Sequence, residues 1–137
     1  MQGIHLCNRR LTNNELNRII ATNAGSFVIY VPLNEVAYWA AIAHALVAQG
    51  KRAHVRFEHR GVVTDIPSEA RSFINAAKQF PKECTFRWRN EPNVEGGYYD
   101  WQQYLISFAN LVRAQVPTCK LFTPAVAPWH SDWKIWL

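Results

Sequence analysis

Five short runs rich in β-forming residues recur along the chain, each followed by a stretch with helical spacing. No other feature limits the possible folds so strongly. The runs occupy residues 3–6 (GIHL), 26–31 (SFVIYV), 52–58 (RAHVRFE), 84–89 (CTFRWR) and 119–126 (CKLFTPAV). In the first intervening segment, Thr12 and Glu15 of TNNE have capping-box spacing, and Leu16, Ile19 and Ile20 share a face. The second runs over residues 34–50, with Asn34 as the expected N-cap and Gly50 as the stop. The third places Pro67 in a first turn and puts Phe73, Ile74 and Ala77 on one side. The fourth gathers Tyr104, Phe108, Leu111 and Val112 and ends before Pro117. Strands alternating with helices of this length predict an α/β fold built of right-handed βαβ units around a parallel sheet.

A chain of 137 residues fits one domain with a sizeable core, so residues 1–137 are read as a single domain. The formal charge of +5 favours acidic partners in general. Its fifteen Lys and Arg residues are nevertheless scattered, with no run longer than a pair, which argues against nucleic acid. Cys7, Cys84 and Cys119 have neither CxxC nor Cys/His spacing, so neither a metal site nor a disulfide framework is expected. No Gly-rich loop follows any of the strand-like runs, which argues against a nucleotide or phosphate cofactor, and no cofactor is expected. The N-terminus has no basic region leading into a long apolar stretch, and no window has the length to cross a bilayer. The expected location is therefore the cytoplasm.

Chemistry concentrates in TFRWRNEPN, residues 85–93. Glu91 lies at the end of a strand-like run and is followed by a proline that stops it. Functional groups in parallel α/β folds collect where strands end, because the scaffold is rigid there and the rim is open. A carboxyl group in a partly desolvated rim, flanked by Trp88 and Pro92, has its proton affinity raised, as a general acid requires. Asn90 can offer an amide hydrogen bond to a substrate hydroxyl. Arg87 and Arg89 work against the acid role, since a guanidinium near Glu91 favours the ionised carboxylate.

The stretch FRWRNEPN, with YYDWQQYLISFANLVRAQVP and CKLFTPAVAP after it, resembles strand four, helix four and strand five of the (β/α)8-barrel retaining glycoside hydrolases. The likeness is most specific over residues 84–128. Upstream it rests on the repeating strand–helix order. The resemblance implies a partial (β/α) barrel of about five parallel strands alternating with helices. It also implies a carbohydrate ligand, with Glu91 as general acid/base and Asn90 holding the sugar's 2-hydroxyl. Retaining hydrolysis needs a second carboxylate about 5 Å away, which this clan carries on strand seven. The given chain ends after its fifth strand-like run, whereas a complete barrel takes ~250 residues. The expectation is therefore that a longer protein or a homo- or hetero-oligomer covers the open sheet edge. A second reading follows, that of a non-catalytic, degenerate glycosidase-like module that binds glycans or serves a larger assembly.

Other residues are candidates for the same site. Glu58 is the one good second carboxylate in the chain, with His59 beside it. The competing reading is an ion-paired strand end with Arg56 and Arg60. His5 either lines a sugar pocket or is a satisfied core histidine. Trp129 follows the fifth run, where a flat indole suits stacking on a pyranose face, and Tyr98 belongs to the loop where substrate would lie. Trp133 and Trp136 read as packing residues of a fifth helix, and His44 as structural.

Overall fold

The computed structural model describes residues 3–6, 9–58, 65–89 and 101–122. Among these, strands and helices alternate as the spacing predicts. In chain order they are β1 (Gly3–Leu6), α1 (Asn13–Ala21), β2 (Ser26–Pro32), a 3-10 turn (Leu33–Glu35) and α2 (Val36–Ala48). These are followed by β3 (Arg52–Glu58), α3 (Ile66–Ala77), β4 (Thr85–Trp88), α4 (Trp101–Gln115) and β5 (Lys120–Leu121). The strands form one sheet in the order β1-β2-β3-β4-β5, and every adjacent pair is parallel. A sheet whose spatial order equals its chain order, with right-handed crossovers throughout, carries all its helices on one face. That is the winding of a (β/α) barrel, not of a doubly wound sheet, in which the order reverses.

Strand alternation divides the side chains between two environments. On the helix side, Phe27, Ile29 and Val31 of β2, Ala53, Val55 and Phe57 of β3, and Phe86 and Trp88 of β4 are buried. They meet Trp39, Ala43 and Leu46 of α2, Phe73 and Ile74 of α3, and Tyr104, Phe108 and Val112 of α4 in one core. Aromatic rings fill much of it. Phe57 and Phe73 meet edge to face with centroids 5.8 Å apart, and Phe73 meets Phe108 at 5.5 Å in the same manner. Edge-to-face contacts of this kind add to the stabilisation from burial, because the positive ring edge meets the negative face. The opposite side chains of the same strands, including His5, Tyr30, His54, Arg56 and Arg87, form a polar face that none of the described helices covers.

Helix ends follow local chemistry closely. Thr12 caps α1: its hydroxyl accepts from the Glu15 N–H at 3.3 Å, and the Glu15 carboxylate accepts from the Thr12 N–H at 2.8 Å. Arg9 also pairs with Glu15, and its hydrogen bond together with those from Thr12 lowers the Glu15 pKa to about 2. Thr12→Ala is expected to cost about 1 kcal/mol, the usual worth of such a cap, readable as a lowered midpoint in urea with an unchanged slope. At the C-terminal end of α2, Gly50 has φ +71°, its N–H bonds to the Val47 carbonyl, and the Lys51 N–H reaches back to Leu46. This is the Schellman arrangement, in which glycine avoids the Cβ penalty of the left-handed region.

Three boundaries differ from the sequence reading, one of them that of β5, which ends at Leu121 inside the run 119–126. Asn34 does not cap α2. It lies inside the 3-10 turn, and the helix begins at Val36 after Glu35, with no side-chain cap. The turn tightens the chain directly out of β2, and Glu35 instead accepts from the Trp39 indole at 3.1 Å. α3, by contrast, has a cap that the sequence reading did not name, the Asp65 carboxylate accepting from the Ser68 N–H at 2.9 Å. β4 also ends earlier, at Trp88, because Arg89 leaves the extended region with φ +65°. No helix among the described residues is long and apolar enough to cross a membrane. Cys84 and Cys119 are free thiols; Cys84 is buried, and burial pushes its pKa up to about 12, as suits an inert core residue.

Candidate functional site

The end of β4 is held by a buried polar cluster. Alternation directs Trp88 toward the helices, and the left-handed backbone at Arg89 turns a second consecutive side chain to the same side. Arg89 is fully buried and forms an ion pair with Glu69 of α3, itself 7% exposed. The guanidinium donates to the Glu69 carboxylate through both Nε and Nη2. The same carboxylate accepts from the Trp88 indole at 3.0 Å and from the Tyr104 hydroxyl of α4 at 2.6 Å.

Four donor contacts on one carboxylate decide its charge state. Burial alone raises the Glu69 pKa, but the hydrogen bonds from Arg89, Tyr104 and Trp88 outweigh it, and the carboxyl titrates below its ordinary value. Burial and the bond to Glu69 push the Tyr104 hydroxyl up, so it remains a donor at neutral pH. Burial favours the neutral guanidinium of Arg89, and Glu69 more than reverses this. A buried ion pair contributes little net stability against an apolar substitute, but it does fix geometry. Here it ties the last residues of β4 to α3 and α4. A non-glycine residue at positive φ is a strained arrangement that persists where its surroundings over-determine it. Asn90 and Glu91 are the next residues in the chain.

The open face of the sheet carries a concavity of about 360 Å³. In register, His5, Val28, His54 and Thr85 form one row across β1 to β4, and Tyr30, Arg56 and Arg87 form the next row toward the strand ends. The Tyr30 hydroxyl accepts from Arg56 Nη1 at 2.7 Å, and the guanidinium carbon lies 4.5 Å from the Tyr30 ring centroid. His54 Nδ1 is 2.6 Å from the Thr85 hydroxyl oxygen. Burial, and secondarily the charge of Arg52, hold the His54 pKa below the ordinary value, which favours the neutral ring. Phe122 closes one side with a half-exposed ring, edge-on to His54 with centroids 6.1 Å apart.

The sequence-predicted residues fall in several places. His5 is exposed on the open face, with its ring 5.8 Å from that of Tyr30. Glu58 is the exposed last residue of β3, in register with Pro32 and on the same face as Arg56 by alternation. The Arg56 guanidinium turns to Tyr30 on the neighbouring strand, and Arg60, the other partner expected for Glu58, lies outside the described residues. Arg89, expected to act on Glu91, forms an ion pair with Glu69. His44 contacts the Gln79 carbonyl at 3.1 Å, the structural role assigned to it. Glu91, Asn90, His59, Tyr98 and Trp129 lie outside the described residues.

Sequence reasoning missed Glu69 and the pairing of Arg56 with Arg87. A signal for Glu69 was present: it stands four residues before Phe73, placing a carboxylate on the buried face of α3. Among the described residues, no group of three or more His, Cys, Asp or Glu is arranged to hold a metal ion. No family model, curated protein or solved structure matches the chain.

Proposed function

We propose that the chain is a glycoside hydrolase-like protein that acts on a carbohydrate at the C-terminal rim of its sheet, with Glu91 as general acid/base and Asn90 orienting a sugar hydroxyl. The observation that carries this reading is the anchored end of β4. Trp88 and Arg89 are locked through Glu69 and Tyr104, so the chain leaves the strand from a rigid point immediately before Asn90 and Glu91. A general acid needs that kind of placement, because misplacing a catalytic group by about 1 Å costs on the order of a hundredfold in rate. Two further features support the reading: the single-sided winding, which is that of (β/α) barrels, and a concavity with several polar groups on the face such a barrel turns inward.

Glu58 is the residue of the described chain best placed to supply a second carboxylate, since it ends the strand next to β4. The separation of its carboxyl from that of Glu91 sets the stereochemistry: about 5–5.5 Å means retention, and ~6.5–9.5 Å inversion. Further strands or a second subunit would complete the rim and cover the edges that β1 and β5 form in the described sheet.

Hydrolysis of aryl α- and β-glycosides, together with saturable sugar binding by the same preparation, tests the proposal. Turnover supports the enzyme. Sugar affinity without turnover moves the protein to the non-catalytic, glycan-binding reading, and the absence of both removes carbohydrate from the account.

A further inference from the structure

Arg56 and Arg87 are direct partners across the β3–β4 ladder, so two guanidinium groups stand side by side on the open face. Adjacent like charges in a sheet are unfavourable unless something answers them. Tyr30 engages Arg56 through its hydroxyl and its ring but carries no opposing charge. Among the described residues, Arg87 has no carboxylate partner, and no Asp or Glu lines the concavity that the two arginines enter. Burial, followed by the charge of Arg56, lowers the Arg87 pKa from its ordinary value. The pair is thus a partly desolvated double positive charge held in place without a described counterion.

The surroundings narrow what could answer it. The concavity, about 360 Å³, is at the small end of the range for small-molecule sites, and it combines a few convergent polar groups with apolar walls. Planar guanidinium groups match the two oxygens of a carboxylate through paired, charge-assisted hydrogen bonds. His5, His54 and Thr85 add polar groups in the neighbouring row, suited to hydroxyls. The half-exposed ring of Phe122 offers an apolar surface to a C–H face.

We infer that Arg56 and Arg87 form a cationic subsite for the carboxylate of an acidic sugar, a hexuronate, seated in the concavity of the open face. The sugar half of this inference rests on the carbohydrate reading above, whereas the anion half stands on the arginine pair alone. Tyr30 is a positioning residue here, because it fixes the Arg56 guanidinium and leaves Arg87 to meet the ligand.

The experiment is calorimetric titration of the full chain with methyl glucuronide, methyl glucoside and inorganic phosphate, repeated with Arg87→Gln and Arg87→Lys. The expected result is that the glucuronide binds at least 10-fold more tightly than the glucoside. Arg87→Gln should erase that preference and Arg87→Lys should restore part of it. Arg87→Gln should also leave the thermal midpoint of the free protein unchanged or raised, since it relieves an uncompensated charge; an arginine with a structural salt bridge would lower it. Equal affinity for glucuronide and glucoside, unchanged by Arg87→Gln, overturns the subsite while leaving the carbohydrate reading intact. Phosphate binding as tightly as the glucuronide, with no sugar bound, overturns the acidic-sugar assignment and reduces the pair to a simple oxyanion site. Failure of all three ligands to bind the wild-type chain overturns the inference outright.

Discussion

Glu69→Ala is expected to destabilise the fold by about 3–5 kcal/mol, the cost of removing one partner from a buried ion pair. The variant leaves the fully buried Arg89 without its carboxylate and takes the shared acceptor from both the Trp88 indole and the Tyr104 hydroxyl. Coulomb attraction lost is the smaller part of the damage. The larger part is that a charge and two polar hydrogens lose a shared acceptor where water cannot replace it. Glu69→Gln is the more informative companion, because it keeps the shape and removes only the charge.

The pH dependence follows from the sign of the Glu69 shift. Its carboxyl titrates lower in the fold than in the unfolded chain, so the fold favours the ionised form. Its stabilising effect is therefore fully present above the unfolded carboxylate range, roughly pH 4 to 5, and is lost as pH falls through the lower folded value. Denaturant unfolding at pH 7 and at pH 3 checks this. The gap between wild type and Glu69→Gln should be wide at pH 7 and shrink at pH 3. A gap below about 1 kcal/mol at pH 7 contradicts the described cluster, since hydrogen bonds to charged groups are individually worth more than that.

Glu91→Gln is expected to lower glycoside turnover by a factor of about 10² to 10⁴, the usual contribution of a positioned general acid or base. Glutamine keeps the size and one acceptor oxygen but has no proton to deliver to the departing oxygen. The loss should depend on the leaving group. A nitrophenolate departs with little protonation, so its substrates should fall least, whereas alkyl glycosides need the proton and should fall most. Because Glu69 holds the strand end before this residue, Glu69 variants that still fold should also lose activity. Their loss should nevertheless vary little with the leaving group, since misplacement disables the site without removing its proton.

The sequence and the structure agree at most points where short-range chemistry decides, the cap expected at Asn34 excepted. The capping box of Thr12 and Glu15, the stop at Gly50, and the alternation that buries Phe27, Ile29 and Val31 are local rules, and the structure follows them. The parallel sheet was likewise readable, because five β-rich runs separated by helical spacing leave few other arrangements, whereas its single-sided winding was implied only by the resemblance to the (β/α)8-barrel glycoside hydrolases.

What stayed hidden depends on contacts between distant segments. Arg89 lies twenty positions after Glu69 and fifteen before Tyr104, and its backbone departs from the strand in a way that period-2 reasoning does not foresee. Reading residues 84–89 as strand throughout therefore put Arg89 on the same face as Arg87, when the two guanidinium groups serve opposite faces of the sheet. The Arg56–Arg87 pair is set by strand register, which the two runs separately do not encode.

Parallel assays of wild type and Glu91→Gln on aryl and alkyl β-glycosides, with thermal midpoints recorded for both, test the central claim most directly. The account predicts wild-type turnover that falls by at least a hundredfold in the variant, with the larger loss on alkyl substrates and matching midpoints. Equal turnover by two equally folded proteins would contradict it, because the carboxyl that follows the anchored end of β4 would then have no part in the chemistry.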